Sequence, residues 1–154
     1  MKSPKRRENR VLSVKMKKSR LVIDYEFDFE LWGVITAARG YKLAWEINQR
    51  LGVHLVKQPD LVVGFKNETE KCFPYYSYET PLNRLKLFKN RPSEQDSGKY
   101  FLIPEFPHYD FIILAAMEEK STQELADQIR EIPAVELVAS IPLEGLKSKS
   151  NFIF

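Results

Sequence analysis

The chain is predicted to be α+β, with a mostly antiparallel sheet and two helices. Three observations carry that reading. From Leu21 to Leu31 an apolar residue stands at every second position, with acids between them from Asp24 onward, the period-two signature of a half-buried strand. Only two segments, starting near Tyr41 and Ser121, place apolar residues at helical spacing. Between and after them lie short apolar runs of strand length, broken by proline, glycine, asparagine and aspartate.

Leu21, Ile23, Tyr25, Phe27, Phe29 and Leu31 fall on one side of the first strand, with Asp24, Glu26, Asp28 and Glu30 on the other. Gly33 reads as a bulge, with Val34–Thr36 continuing one long bent strand beyond it. Tyr41–Leu51 carries Leu43, Ala44, Ile47 and Leu51 on one helical face, and Gly52 sits where a left-handed C-cap belongs.

Val53–Lys57 and Leu61–Phe65 read as extended, separated by Gln58-Pro59-Asp60. Residues 66–71 read as a polar loop. Tyr75–Glu79 and Arg84–Lys89 flank Thr80-Pro-Leu-Asn83 and predict a hairpin.

Asn90–Gly98 reads as a loop. Lys99–Ile103 and Tyr109–Met117 read as strands joined by a stiff corner, and the second, almost wholly apolar, is expected to be central. Ser121-Thr-Gln-Glu124 is a capping-box pattern that opens a helix ending before Pro133. Ala134–Ile141 is the last strand. The order is strand–helix–strand, hairpin, strand–helix–strand, which resembles a ferredoxin-like split βαβ sheet with an inserted hairpin.

A length of 154 residues, 44% hydrophobic and 29% charged, suits one folded domain. The boundaries expected are a basic N-terminal tail at 1–16, disordered or a start set too early before Met16, and a single α+β domain at 17–154. Residues 1–20 hold nine of the 24 basic residues and one acid, a net +8; the remaining 15 basic and 20 acidic residues give −5. Such a tail suits a polyanion through counterion release. A single cysteine, Cys72, excludes an internal disulfide and fits a reducing compartment, so the expected location is cytoplasmic. No apolar run approaches the ~20 residues of a membrane span, and no membrane partner is expected.

No catalytic residue, metal or cofactor is assigned. Two histidines and one cysteine do not make a zinc site. The acids of the first strand are too widely spaced along one face to share an ion. The six glycines are scattered and form no phosphate loop or dinucleotide fingerprint.

Two candidate sites remain. Tyr76, Tyr78, Arg84 and Lys86 interleave aromatic and basic residues within the Tyr75–Arg91 hairpin, a composition that can stack bases and hold phosphates. Glu105, His108 and Asp110 share the Phe101–Phe111 stretch with Ile103 and Pro104. A carboxylate beside a histidine can do acid–base chemistry in a pocket. The simpler expectation is that Asp110 binds loop amides and Glu105 pairs with a nearby cation.

The same stretch resembles the signature of the IPExxxVDY family of Bacteroidetes, whose function is not established. Ile103, Pro104, Glu105 and Asp110 match the motif letters, while Tyr109 replaces its valine and Phe111 its tyrosine. Both replacements suit packing. Tyr41-Lys-Leu-Ala-Trp45 and the C-terminal Leu146–Phe154 are similar too, so the resemblance runs over about 17–154 and implies no activity.

The function expected is that of a cytoplasmic binding or regulatory domain. Its partner would be an unknown protein or a second copy, met through the sheet, the 103–110 corner or the apolar C-terminus. Two alternatives are RNA binding through the tail and hairpin, and regulation by a small ligand.

Overall fold

A computed structural model describes residues 12–17, 20–25, 28–93 and 100–154. The fold is α+β. β1 (Leu12–Lys17) and β2 (Arg20–Tyr25) pair antiparallel as a two-stranded ladder, Met16 opposite Leu21. The last residues of the expected tail therefore lie in β1, and residues 1–11 lie outside the described residues. The single long strand expected from Leu21 onward is two strands, β2 and β3 (Glu30–Thr36).

Gly33 does not make a bulge. β3 runs through it in unbroken register, Gly33 facing Ile112 on one side and Ala139 on the other. The glycine is needed because a Cβ there would fall among the ring atoms of Tyr109. The register shift lies between Val135 and Leu137.

α1 (Gly40–Leu51) ends at Gly52, whose φ of 67° is the left-handed cap expected. Then come β4 (Val56–Lys57), β5 (Leu61–Gly64), β6 (Glu70–Phe73), β7 (Tyr75–Glu79) and β8 (Asn83–Lys89). Part of the expected 66–71 loop is strand: β6 pairs with β5 through a tight turn in which Glu68 adopts φ 61°. The β7–β8 hairpin turns as predicted, its Thr80 hydroxyl accepting from Asn83 N at 3.0 Å.

β9 (Phe111–Met117), α2 (Thr122–Arg130) and β10 (Val135–Ile141) follow. Ser121 caps α2, its hydroxyl accepting from Glu124 N at 3.1 Å. The expected strand at Lys99–Ile103 is absent over its described part, residues 100–103, and Tyr109 precedes β9 rather than belonging to it. A 3₁₀ helix spans Lys147–Phe152.

The large sheet has the order β10-β3-β9-β8-β7-β4, every pair antiparallel. β9 and β10 run parallel with β3 between them, and β3 and β8 run parallel with β9 between them. That is the split βαβ arrangement, with β4 to β7 inserted after α1. β9 is central, as its apolar composition predicts.

Two cores form on opposite faces of this sheet. Trp32, Val34, Leu85, Leu87, Ile113 and Val138 pack under α1 and α2 through Leu43, Ile47, Leu125 and Ile129. Leu31, Phe88, Ile112 and Leu114 face the other way and are covered by Leu102, Ile103, Tyr109, Phe73, Leu146 and Phe152. The second layer combines the irregular 101–109 chain with the β5–β6 ladder and the short 3₁₀ helix.

β10 is a sheet edge. The Val34 carbonyl turns towards β9, accepting from Asp110 N at 2.8 Å, so its ladder partner Val138 must turn its own carbonyl outward. The Arg130 guanidinium covers that carbonyl, donating from Nε and Nη2 at 3.2 and 2.9 Å.

Candidate functional site

The 101–110 stretch is built around Asn90, which is fully buried. Its Oδ1 accepts from Ile103 N at 2.8 Å, and its Nδ2 donates to the carbonyls of Phe106 (3.0 Å) and Tyr109 (2.9 Å). Its main chain adds bonds from Leu102 N and to the Asp110 carbonyl. Every polar atom of the side chain is used. The amides of 102 and 103 are thus satisfied by one residue rather than by a neighbouring strand, which is why no strand forms there.

Glu105 reaches the C-terminal 3₁₀ helix. Its carboxylate accepts from Lys147 N (2.8 Å), Ser148 N (3.2 Å) and Ser148 Oγ (2.8 Å). Partial burial pushes this carboxyl up, but the hydrogen bonds from its own backbone, the Ser148 hydroxyl and the two amides outweigh it and hold it below the usual carboxylate value. Its partners are amides and a hydroxyl, not the lysine or arginine expected. Asp110 accepts from Thr36 N at 3.0 Å, an amide at the end of β3 rather than the loop amides expected. His108 is exposed, its ring 4.4 Å from that of Tyr109.

Glu105 and Asp110 line different cavities: Glu105 one of about 550 Å³ beside Val63, Phe65 and Pro104, Asp110 one of about 460 Å³ at the start of α1. Ile103 is fully buried and Pro104 exposed. Ile103 and Glu105 tie this stretch to Asn90 and to the 3₁₀ helix.

The hairpin residues separate as well. Tyr76 and Tyr78 pack on the helix side of the sheet. Arg84 and Lys86 alternate with Leu85 and Leu87 and so face the other side, where Arg84 bonds Asp28 at 2.7 Å and Lys86 Nζ lies 4.5 Å from the Phe154 ring centre. Burial, partly offset by Glu79, pulls the Lys86 amine below its usual value. The two tyrosines and the two cations therefore do not form one surface. Of the acidic strand face, Asp28 and Glu30 line a third cavity of about 500 Å³ with Glu118; the side chains of Asp24 and Glu26 lie outside the described residues.

A different cationic site emerges at one end of the sheet. The 460 Å³ cleft is lined by Arg39, Tyr41, Tyr76, Lys89, Arg91 and Asp110, among others. Arg39 stands at the N-cap of α1 without a side-chain cap bond, and the first turn has no acid. Lys89 and Arg91 flank the buried Asn90, so the residue that fixes the irregular layer also fixes both cations. Among the described residues neither Arg39 nor Lys89 has an ion-pair partner, and Arg91 lies 5.8 Å from the Phe101 ring. Burial raises the Tyr76 phenol, with Lys57 opposing weakly, so that ring stays neutral. Among the described residues the cleft holds three cations against one carboxylate that is already engaged.

Sequence reasoning counted Lys89 and Arg91 with the hairpin and passed over Arg39. The available signal was that Arg39-Gly40 opens a helix lacking the usual Ser, Thr, Asp or Asn cap. Among the described residues no group of three or more histidine, cysteine or acidic side chains is placed to hold a metal, and no helix is long and apolar enough to cross a membrane.

Fold and site together define an α+β domain of split βαβ topology with a cationic cleft at one end of its sheet. No family model, curated protein or solved structure matches the chain.

Proposed function

We propose that this is a cytoplasmic binding or regulatory domain that takes an anionic partner in the cleft between the start of α1 and the β8–β9 end of the sheet. One observation carries the reading: Arg39, Lys89 and Arg91 converge on a cavity of about 460 Å³, with no opposing carboxylate paired to Arg39 or Lys89 among the described residues. Unpaired cations gathered in a cleft are held at a cost of mutual repulsion that an anion relieves. The volume lies in the range of small-ligand sites. Tyr41 and Tyr76 supply flat apolar walls beside the charges.

The test is thermal unfolding with inorganic tripolyphosphate at fixed ionic strength. The wild-type melting temperature should rise with ligand, and Lys89→Gln/Arg91→Gln should weaken binding by about tenfold or more for each charge removed. A shift of equal size in the double variant, or none in the wild type, would sink the reading.

A further inference from the structure

The cleft continues onto the outer face of α1. Tyr41 and Trp45 lie four residues apart on that helix, hence side by side, and are 67% and 53% exposed. Large aromatic side chains usually bury their area in a core; these two present theirs to solvent. Tyr41 also lines the cleft, which joins the two surfaces. Lys42 Nζ lies 5.1 Å from the Trp45 ring centre. With Arg39, Lys89 and Arg91 the surface gathers four of the 15 basic residues that follow Arg20, although that part of the chain has a net charge of −5. Among the described residues its nearby acids are Glu46, half-buried on α1, and Asp110, engaged by Thr36 N.

We infer that this face binds single-stranded nucleic acid, with phosphates at the cleft cations and along α1 and bases stacked on Tyr41 and Trp45. The inference rests on the cleft being an anion site and adds the partner. Aromatic rings that stand clear of the surface offer stacking faces, which unpaired bases use without regard to sequence. The unpaired cations beside the rings favour a partner that is both polyanionic and aromatic, as single-stranded nucleic acid is. A duplex keeps its bases stacked on each other, leaving the rings unused. The surface keeps Lys89 and Arg91 from the end of the hairpin that the sequence suggested, and replaces its other members and the tail with Arg39, Tyr41 and Trp45.

The chain's two tryptophans make a direct test. Trp32 is 4% exposed and Trp45 53%, so quenching of emission by a ligand reports on Trp45. Titration of the full chain with a short oligoadenylate should give saturable quenching. Trp45→Phe should abolish the quenching and keep affinity within about threefold. Trp45→Ala and Tyr41→Ala should each weaken binding about tenfold or more, read by anisotropy of a labelled oligonucleotide; unchanged melting temperatures establish that both variants fold. Binding with unaltered emission and wild-type affinity in Trp45→Ala would overturn the inference, since charge alone would then hold the strand. Equal affinity and quenching by poly-L-glutamate would overturn it in favour of an acidic polypeptide. If tripolyphosphate still binds through Lys89 and Arg91 in either case, the anion site stands and only the nucleic-acid assignment falls.

Discussion

The two faces of the six-stranded sheet are covered by different kinds of structure. α1 and α2 bring most of their backbone hydrogen bonds with them and contribute apolar side chains such as Leu43 and Ile129. The opposite face is covered by 101–109, the β5–β6 ladder and the C-terminal turn. Irregular chain of this sort arrives with unsatisfied amides and carbonyls, so its polar side chains must complete the bonding. Asn90, Glu105 and Asn151 do so, the last donating to the Leu102 carbonyl at 3.0 Å. The helix layer should therefore be sensitive to lost volume, and the irregular layer to lost hydrogen bonds.

The sharpest contrast is between two asparagines. Asn90→Ala strands Ile103 N and the carbonyls of Phe106 and Tyr109, and should cost about 4 kcal/mol or more, a large part of a domain's stability. Asn48→Ala, within α1 of the helix layer, removes bonds to Leu55 N (2.7 Å) and the Leu55 carbonyl (3.3 Å) from a half-buried site and should cost about 1 kcal/mol. Equal losses in urea unfolding would break the comparison. Next is Gly33→Ala, which drives a methyl into Tyr109 and should cost about 2 kcal/mol. Combining it with Tyr109→Leu should recover part of that loss, because the clash is with this one ring.

Glu105→Gln should cost about 1 kcal/mol, in line with loss of a helix cap, and should speed amide exchange at Lys147 and Ser148. The pH dependence follows from the lowered carboxyl of Glu105. A carboxyl lower in the folded than the unfolded state stabilises fully above the unfolded value of about 4.3, and the gain disappears as pH falls through the lower folded value. Acid should thus loosen the C-terminal turn in wild type, and the Gln variant should lack that component. The smallest effect is expected from Arg84→Ala, whose Asp28 partner is 81% exposed: about 0.5 kcal/mol, diminishing with salt.

Legibility in the sequence followed the same division. Helical spacing exposed α1 and α2, the Thr80–Asn83 turn exposed the β7–β8 hairpin, and an unbroken apolar run exposed central β9, because each carries its own local signal. The irregular layer has no period. Its structure depends on Asn90, a residue that looks like loop composition until its three long-range bonds are seen. Pro104 and Pro107 fall in a run of turns and bends, but Leu102 and Ile103 looked like strand because burial selects the same side chains whether or not a ladder forms. Gly33 signalled close backbone approach as readily as a bulge, and only Tyr109, distant in sequence, decides between them. The cationic cleft was hidden because its members come from either end of the β7–β9 region and from the turn before α1.

The Arg130 guanidinium on Val138 also bears on how these molecules behave in a crowd. A strand from another copy could extend the sheet at β10 only by offering its own N–H groups to outward carbonyls, and the one in the middle of that edge already has two donors. At the far end β4 offers just two residues. The sheet is thus a poor template for runaway polymerisation, which leaves the exposed Tyr41 and Trp45 free for traffic with partners of another chemistry.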